Sequence, residues 1–182
     1  MVFLSELVEI RVHGRGGGGV VSAGYILAVA AFYDNKFSQA FPMFGLERAG
    51  SPVTSYVRIS KKHIDLRSQI YEPDYSIVLD PTLVGNVDVA AGVRNSVIVN
   101  TKKAVKLHPK TFVADASKFG DSYGNVAMVA VFAKCTNLIS QSSLLRAVED
   151  VFVKKGDEVV DKNKAIVNKV FEEKSCPLEL EK

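Results

Sequence analysis

Glu6-Leu7-Val8-Glu9-Ile10-Arg11-Val12-His13, then Gly14-Arg15-Gly16-Gly17-Gly18-Gly19, then Val20 to Phe32: these consecutive runs decide the fold. The first is rich in β-branched residues and reads as a strand. The glycines force a tight turn. In the third run Val20, Ala23, Leu27 and Ala30 recur at helical spacing, and Asp34-Asn35-Lys36 ends the helix. A strand handed to a helix through glycines is the opening of an α/β domain, and it is also an arrangement that cradles phosphates. Without Cβ atoms the backbone approaches a ligand, and the helix N-terminus adds roughly half a positive charge. The candidate binding residues are therefore Gly14, Arg15, Gly16, Gly17, Gly18 and Gly19, with Arg15 adding a formal charge. A nucleoside-triphosphate P-loop is excluded, because Val20-Val21 stand where Lys and Ser/Thr are required. A dinucleotide site fits poorly, since Asp34 has the right spacing but precedes the second strand. The alternative is a glycine turn that only packs the helix against the sheet.

Outward from this unit, Phe37 to Phe41 reads as a short strand closed by Pro42, and Val53 to Ile59 alternates as a strand with one wetter face. Tyr75 to Leu79, Ser96 to Asn100 and Thr111 to Ala114 read as short buried strands. Asn125 to Ile139, Gln141 to Val153 and Asp161 to Lys174 read as helices. The expected fold is a single α/β domain over 1–182, a three-layer α/β/α arrangement with a mostly parallel or mixed central sheet.

The 182 residues suffice for one domain with a substantial core. Residues 1–91 carry a net charge of −1 and residues 92–182 a net of +4, with the excess at Lys102, Lys103, Lys106 and Lys110. Such a run is either a solvated face or a docking patch for an acidic partner or phosphorylated cofactor. A net +3 does not mark a nucleic-acid binder. Cys135 and Cys176 form no CxxC pattern, so neither a zinc site nor a disulfide framework is expected; Cys135 reads as a small buried hydrophobe. This cysteine usage suggests a cytoplasmic protein. Glu6 and Glu9 interrupt any signal peptide, and the apolar run from Val20 to Tyr33 is too short to span a membrane. His13, next to the glycine turn, reads as structural, His63 and His108 have no recognisable partners, and no nucleophile–base pair, catalytic residue or metal ligand set stands out.

A second constellation is Phe41-Pro42-Met43-Phe44-Gly45-Leu46-Glu47-Arg48-Ala49-Gly50-Ser51-Pro52-Val53. Apolar side chains beside a charged pair suggest a contact surface, with Phe44, Glu47 and Arg48 as docking residues. Together with the glycine run, this segment resembles the gamma subunit of 2-oxoacid:ferredoxin oxidoreductases, whose second signature has the form F-P-x-F-G-x-E-R-R-G-A-P-V. Arg58-Ile59-Ser60 and Tyr71-Glu72-Pro73-Asp74-Tyr75, then Asp80-Pro81-Thr82-Leu83, follow at that family's spacing, and the loop variant is most like the pyruvate branch. Gly18 departs from the family's usual Gln, and Ala49 from a second Arg.

The resemblance implies a hetero-oligomeric enzyme that converts a 2-oxoacid and CoA to acyl-CoA and CO₂, passing electrons to ferredoxin. Thiamine diphosphate, magnesium and iron–sulfur clusters would lie in the alpha, beta and ferredoxin-like delta subunits. This chain would help bind CoA, close over the active site and hold the assembly together, and would be inactive alone. The other reading is a stand-alone nucleotide- or phosphate-binding module using the Gly14–Gly19 turn. Arg48→Glu reverses charge on the docking loop and is expected to weaken co-purification with the other subunits. Undiminished recovery of the complex would remove Arg48 from the interface.

Overall fold

Four strands in parallel, all ending at one edge, organise the molecule. The structure is a computed structural model and describes residues 6–43, 50–177 and the backbone of 179–180. The elements in chain order are β1 (Leu7–Arg15), α1 (Val20–Tyr33), β2 (Phe37–Met43), β3 (Pro52–Ser60), β4 (Tyr75–Val78), β5 (Ser96–Asn100), β6 (Thr111–Ala114), α2 (Asn125–Thr136), α3 (Gln141–Phe152), α4 (Asp157–Glu172) and β7 (Glu179–Leu180). They form one sheet in the order β2-β3-β1-β4-β5-β6-β7. β1, β4, β5 and β6 are mutually parallel, while β3, β2 and β7 run antiparallel to their neighbours. The sheet is thus mixed, as the α/β expectation allowed.

One face of the sheet is apolar. Ile10 and Val12 on β1, Val57 and Ile59 on β3, Ile77 on β4 and Ile98 on β5 share a core with all four helices. α1 approaches closely because Gly24 stands where a Cβ would overlap the Ser55 hydroxyl. At about 1.5 Å per residue, its 14 residues fall well short of a bilayer, and no helix among the described residues is long and apolar enough to cross one. α2 is central, with Asn125 through Ala133 all buried.

Among the described residues, the other face has no helix of more than one turn. A small cluster of Val78, Leu83, Val89, Val97 and Val99 lies beneath irregular segments, so the third layer is built from loops rather than α-helices. Over β1 and β3 this face is polar and dry. Arg58 is 1% exposed. Its Nε donates to Glu9 at 2.8 Å, its Nη2 to the Ser68 carbonyl at 2.8 Å, and its Nη1 to the Leu66 carbonyl at 3.4 Å. One buried guanidinium therefore ties residues 66–68 down onto the sheet.

Several expectations are corrected. Pro42 does not close β2, which runs on to Met43: β2 is an edge strand, where a missing N–H costs no ladder bond. α2 stops at Thr136 because Asn137 turns left-handed, at φ 54°. α4 starts at Asp157 rather than Asp161, with Asp157 and Glu158 complementing its dipole after the Gly156 break. β7 was not expected. The largest correction is Cys135–Cys176, a disulfide across 41 positions that joins the end of α2 to the segment after α4. Cys135 does pack against the core, but as half of a cross-link.

Arg58→Met leaves several carbonyls without their donor and Glu9 with only the longer Arg94 contact at 3.5 Å. Breaking one side of a buried ion pair costs about 3–5 kcal/mol, so the melting temperature is expected to fall by about 10 °C in a thermal scan. A shift of about a degree or less would show that the loop layer holds without it.

Candidate functional site

Because β1, β4, β5 and β6 run parallel, their C-terminal ends share one edge, the usual place for a ligand in an α/β sheet. The glycine turn leaves β1 there. Two glycines carry its geometry. Gly14 lies against α1, where a Cβ would crowd Val20 Cγ2. Gly19 caps α1 at φ 76°, in left-handed backbone, and a Cβ there would overlap the Asn125 amide. Gly19 offers α1 no side-chain cap, and the first turn contains no acidic residue. The first-turn amides of Val20, Val21 and Ser22 consequently have no acceptor among the described residues.

α2 begins next to α1 and is treated differently. The Asp121 carboxylate, 6% exposed, accepts from the amides of Tyr123 (3.1 Å), Gly124 (3.0 Å) and Ala127 (2.9 Å). That helix end is satisfied from within. Asn125 is 7% exposed, and its side chain has no hydrogen-bond partner among the described residues. A cavity of about 330 Å³ opens between the two helix starts and the α3–α4 corner; Gly17, Gly19, Asn125, Tyr123, Lys155 and Lys162 are among its lining. A second cleft of about 370 Å³ lies beyond the turn and shares Gly17, Gly19, Ser22 and Lys155 with the first. Neither lysine has a carboxylate partner among the described residues; Lys155 lies 5.2 Å from the Phe152 ring centre. The arrangement places the start of α1, Lys155 and Lys162 around two adjoining clefts, which suits an anion such as a phosphate.

Of the residues expected from the sequence, Arg15, Gly16, Gly17 and Gly19 line these clefts. Gly18 donates its amide to the Arg15 carbonyl at 2.9 Å and so shapes the turn. The Arg15 guanidinium is also held by its neighbours: its Nε lies 3.2 Å from Asp80 and 2.9 Å from Thr82 Oγ1, and its Nη1 donates to the Gly50 carbonyl at 2.9 Å. Gly16 donates to the Ser51 carbonyl at 2.8 Å and accepts from the Gly50 amide at 3.2 Å. The structure thereby stitches the C-terminal flank of the second motif to the glycine turn. Phe44, Glu47 and Arg48 lie outside the described residues.

Asp34, the acid at dinucleotide spacing, is spent on α3. It accepts from the Ser140 amide at 2.8 Å and from the hydroxyls of Ser140 (2.6 Å) and Ser143 (2.7 Å). Partial burial would raise its pKa, but these hydrogen bonds outweigh burial and lower it. The histidines expected to lack partners have them: His63 lies 3.0 Å from Asp65, and His108 Nδ1 accepts from the Lys110 amide at 3.1 Å. Lys102, 3.5 Å from Asp115, belongs to an exposed run with Lys103, Lys106 and Lys110. Lys155, Lys162, Asn125 and Tyr123 were missed. Their only sequence signals were Gly124-Asn125 and Lys155-Gly156, each a glycine before a helix.

A family model for pyruvate ferredoxin/flavodoxin oxidoreductase matches residues 9–173. The chain belongs to this family. It is 49% identical over 154 residues to pyruvate synthase subunit PorC of Methanocaldococcus jannaschii, covering 80% of this chain and 86% of that protein. It is 42% identical over 181 residues to the common gamma subunit of pyruvate/ketoisovalerate oxidoreductases of Pyrococcus abyssi, covering 91% and 96%. The crystal structure of the pyruvate oxidoreductase subunit PORC of Thermotoga maritima superposes with a TM-score of 0.79 at 27% identity, covering 98% of this chain and all of that one. The two signature segments that resembled the gamma subunit are thus the ones the fold brings into contact.

His13, just before the turn, is 4% exposed, and its Nδ1 lies 3.2 Å from Thr54 Oγ1. Burial first, and the Arg11 charge second, lower its pKa from 6.5 to about 4. It is neutral in the folded protein near neutral pH. The unfolded chain binds a proton below 6.5 and the folded chain only below about 4, so stability falls as pH drops through that window. The wild type is expected to lose about 3 kcal/mol more than His13→Gln between pH 7 and pH 4 in denaturant titrations. Parallel pH profiles would show that His13 protonates freely in the fold.

Proposed function

We propose that this chain, a gamma subunit of a pyruvate/2-oxoacid ferredoxin oxidoreductase, holds the phosphate-bearing part of coenzyme A at the glycine turn. The observation that carries the reading is the uncapped start of α1 facing Lys155 and Lys162 across one cavity. Enzymes of this class use coenzyme A, and a solved 2-oxoglutarate:ferredoxin oxidoreductase of the same fold has coenzyme A and succinyl-CoA bound.

The residues fit such a ligand. A Cβ at Gly17 would meet nothing within 4 Å, so a phosphate has open space at the turn. The amides of Val20, Val21 and Ser22 donate to its oxygens, the unpartnered Asn125 amide adds a side-chain hydrogen bond, and the two ammonium groups balance its charge. Asp121 lines the same cavity but repels an anion little, because its charge sits on the positive end of α2. Coenzyme A supplies the thiol that becomes the acyl carrier. This chain orients it and shields it from water, and the Arg15–Asp80 pair holds the turn in shape. Thiamine diphosphate, magnesium and the iron–sulfur clusters then reside in the alpha, beta and delta subunits, with ferredoxin as acceptor and the assembly in the cytoplasm.

Pyruvate is the substrate we favour, supported by the second signature and by the names of the relatives. The Pyrococcus relative is named as common to pyruvate and ketoisovalerate enzymes, and a gamma subunit that binds the coenzyme rather than the oxoacid suits such sharing.

Gly17→Asp puts a negative charge into the turn, and Lys155→Met removes a cation worth about 1–2 kcal/mol to a bound phosphate. In the assembled enzyme each is expected to raise the KM for coenzyme A about tenfold while leaving the KM for pyruvate unchanged. Normal assembly with an unaltered coenzyme A KM in both variants would remove this site from coenzyme binding.

A further inference from the structure

We propose that the Cys135–Cys176 disulfide is a redox-sensitive latch that holds the C-terminal segment over one wall of the site cavity. These are the only two cysteines of the chain, and the bond between them serves no step of the reading above.

The bond sits where it can be reached. Cys176 is exposed and Cys135 half-buried, so an external thiol meets the Cys176 sulfur first. Little else fastens the segment. Past α4, residues 173–177 have no regular structure, and β7 pairs with β6 over only two residues. The Lys134 ammonium donates to the carbonyls of Val170 and Phe171 at 3.0 Å and to that of Glu173, which secures the end of α4 and the first residue past it. Glu173, Lys174 and Ser175 make no side-chain hydrogen bond or ion pair among the described residues. Open clefts of about 500 and 380 Å³ separate this segment from Lys118 and Phe119. A stretch so thinly packed is held mainly by its cross-link.

What lies beneath the latch leads into the site. Lys118 and Phe119 belong to the one-turn helix Ala116–Phe119, which passes directly into Gly120, Asp121, Ser122 and Tyr123, and those four line the cavity beside the glycine turn. With the latch closed, the C-terminal segment faces Lys118 and Phe119 across these clefts and limits how far the one-turn helix can move outward. With it open, β6 becomes a free edge and the wall loses its outer support. The step is a two-electron exchange with a dithiol. One thiolate of the dithiol attacks Cys176 Sγ and expels Cys135 as a thiolate, which takes up a proton. The second thiol of the dithiol, deprotonated, then resolves the mixed disulfide. It releases Cys176 as the thiol and leaves the reductant as its own disulfide. Exposed disulfides of this kind are the labile ones.

The latch stands on the geometry alone, whereas its effect on catalysis rests on the coenzyme A reading. The test uses the assembled enzyme purified without reductant, then titrated with dithiothreitol. Alkylation of the unfolded chain is expected to rise from none to two groups, and trypsin cleavage after the exposed Lys174 to accelerate about tenfold on reduction. The KM for coenzyme A is expected to rise about threefold, a shift of under one kcal/mol, and to return on reoxidation. The Cys135→Ser/Cys176→Ser double variant should match the reduced enzyme at every dithiothreitol concentration. Two free thiols before any reductant, or equal cleavage rates in both states, would overturn the latch. Faster cleavage with an unchanged coenzyme A KM would overturn its control of the site if Gly17→Asp still raises that KM. If Gly17→Asp is also silent, the coenzyme A reading has failed instead.

Discussion

The close approach of α1 to the sheet is the constraint on which the rest depends. Gly14 lets the first turn of α1 settle against β1, and Gly24 lets its middle settle against β3. A side chain at either position would push the helix away and open the core that α1 shares with α2 and α3. The same closeness sets the Gly19 cap beside Asn125, so the starts of α1 and α2 meet at one cavity. Packing and the shape of this cavity therefore have a single cause.

The two faces of the sheet do different work. The helical face is apolar and supplies most of the core. The opposite face, over β1 and β3, carries Arg11, His13 and Arg58 almost out of water, with Glu9 half-buried beside them. Arg11 Nε and His13 Nε2 have no partner among the described residues, although Arg11 also donates to the Ala91 carbonyl. Loops, unlike helices, bring carbonyls that point in many directions, and a buried guanidinium needs several such acceptors at once. Polar strand residues and an irregular covering layer are thus matched, which explains why no α-helix covers this side.

The C-terminal edge of the parallel strands gathers pieces from distant parts of the chain. Arg15 reaches Asp80 and Thr82 after β4 and the carbonyl of Gly50 before β3. Asn100, at the end of β5, donates to the Leu79 carbonyl at 3.0 Å and accepts from the Ala116 amide at 3.0 Å. These side chains brace the strand ends around the turn.

Much of this was legible in the residues. The strand–glycine–helix unit announced itself because backbone approach and helix start are local demands, written within the consecutive positions from Glu6 to Phe32. β4, β5 and β6 were legible because buried parallel strands are short and apolar, and Asp34, α1's stop signal, stands where it was expected. Lys155, Lys162 and Asn125 were not legible as cavity-lining residues, since each is an ordinary residue in or beside a helix until the fold carries it across more than a hundred positions to the turn. The contact of Asp34 with Ser140, the cap of α3, and the pairing of Cys135 with Cys176, were likewise decided only in three dimensions. Periodicity and turn chemistry act between neighbours in sequence and can be read there. A salt bridge, a cavity wall or a disulfide depends on distance in space, which only the packed structure sets.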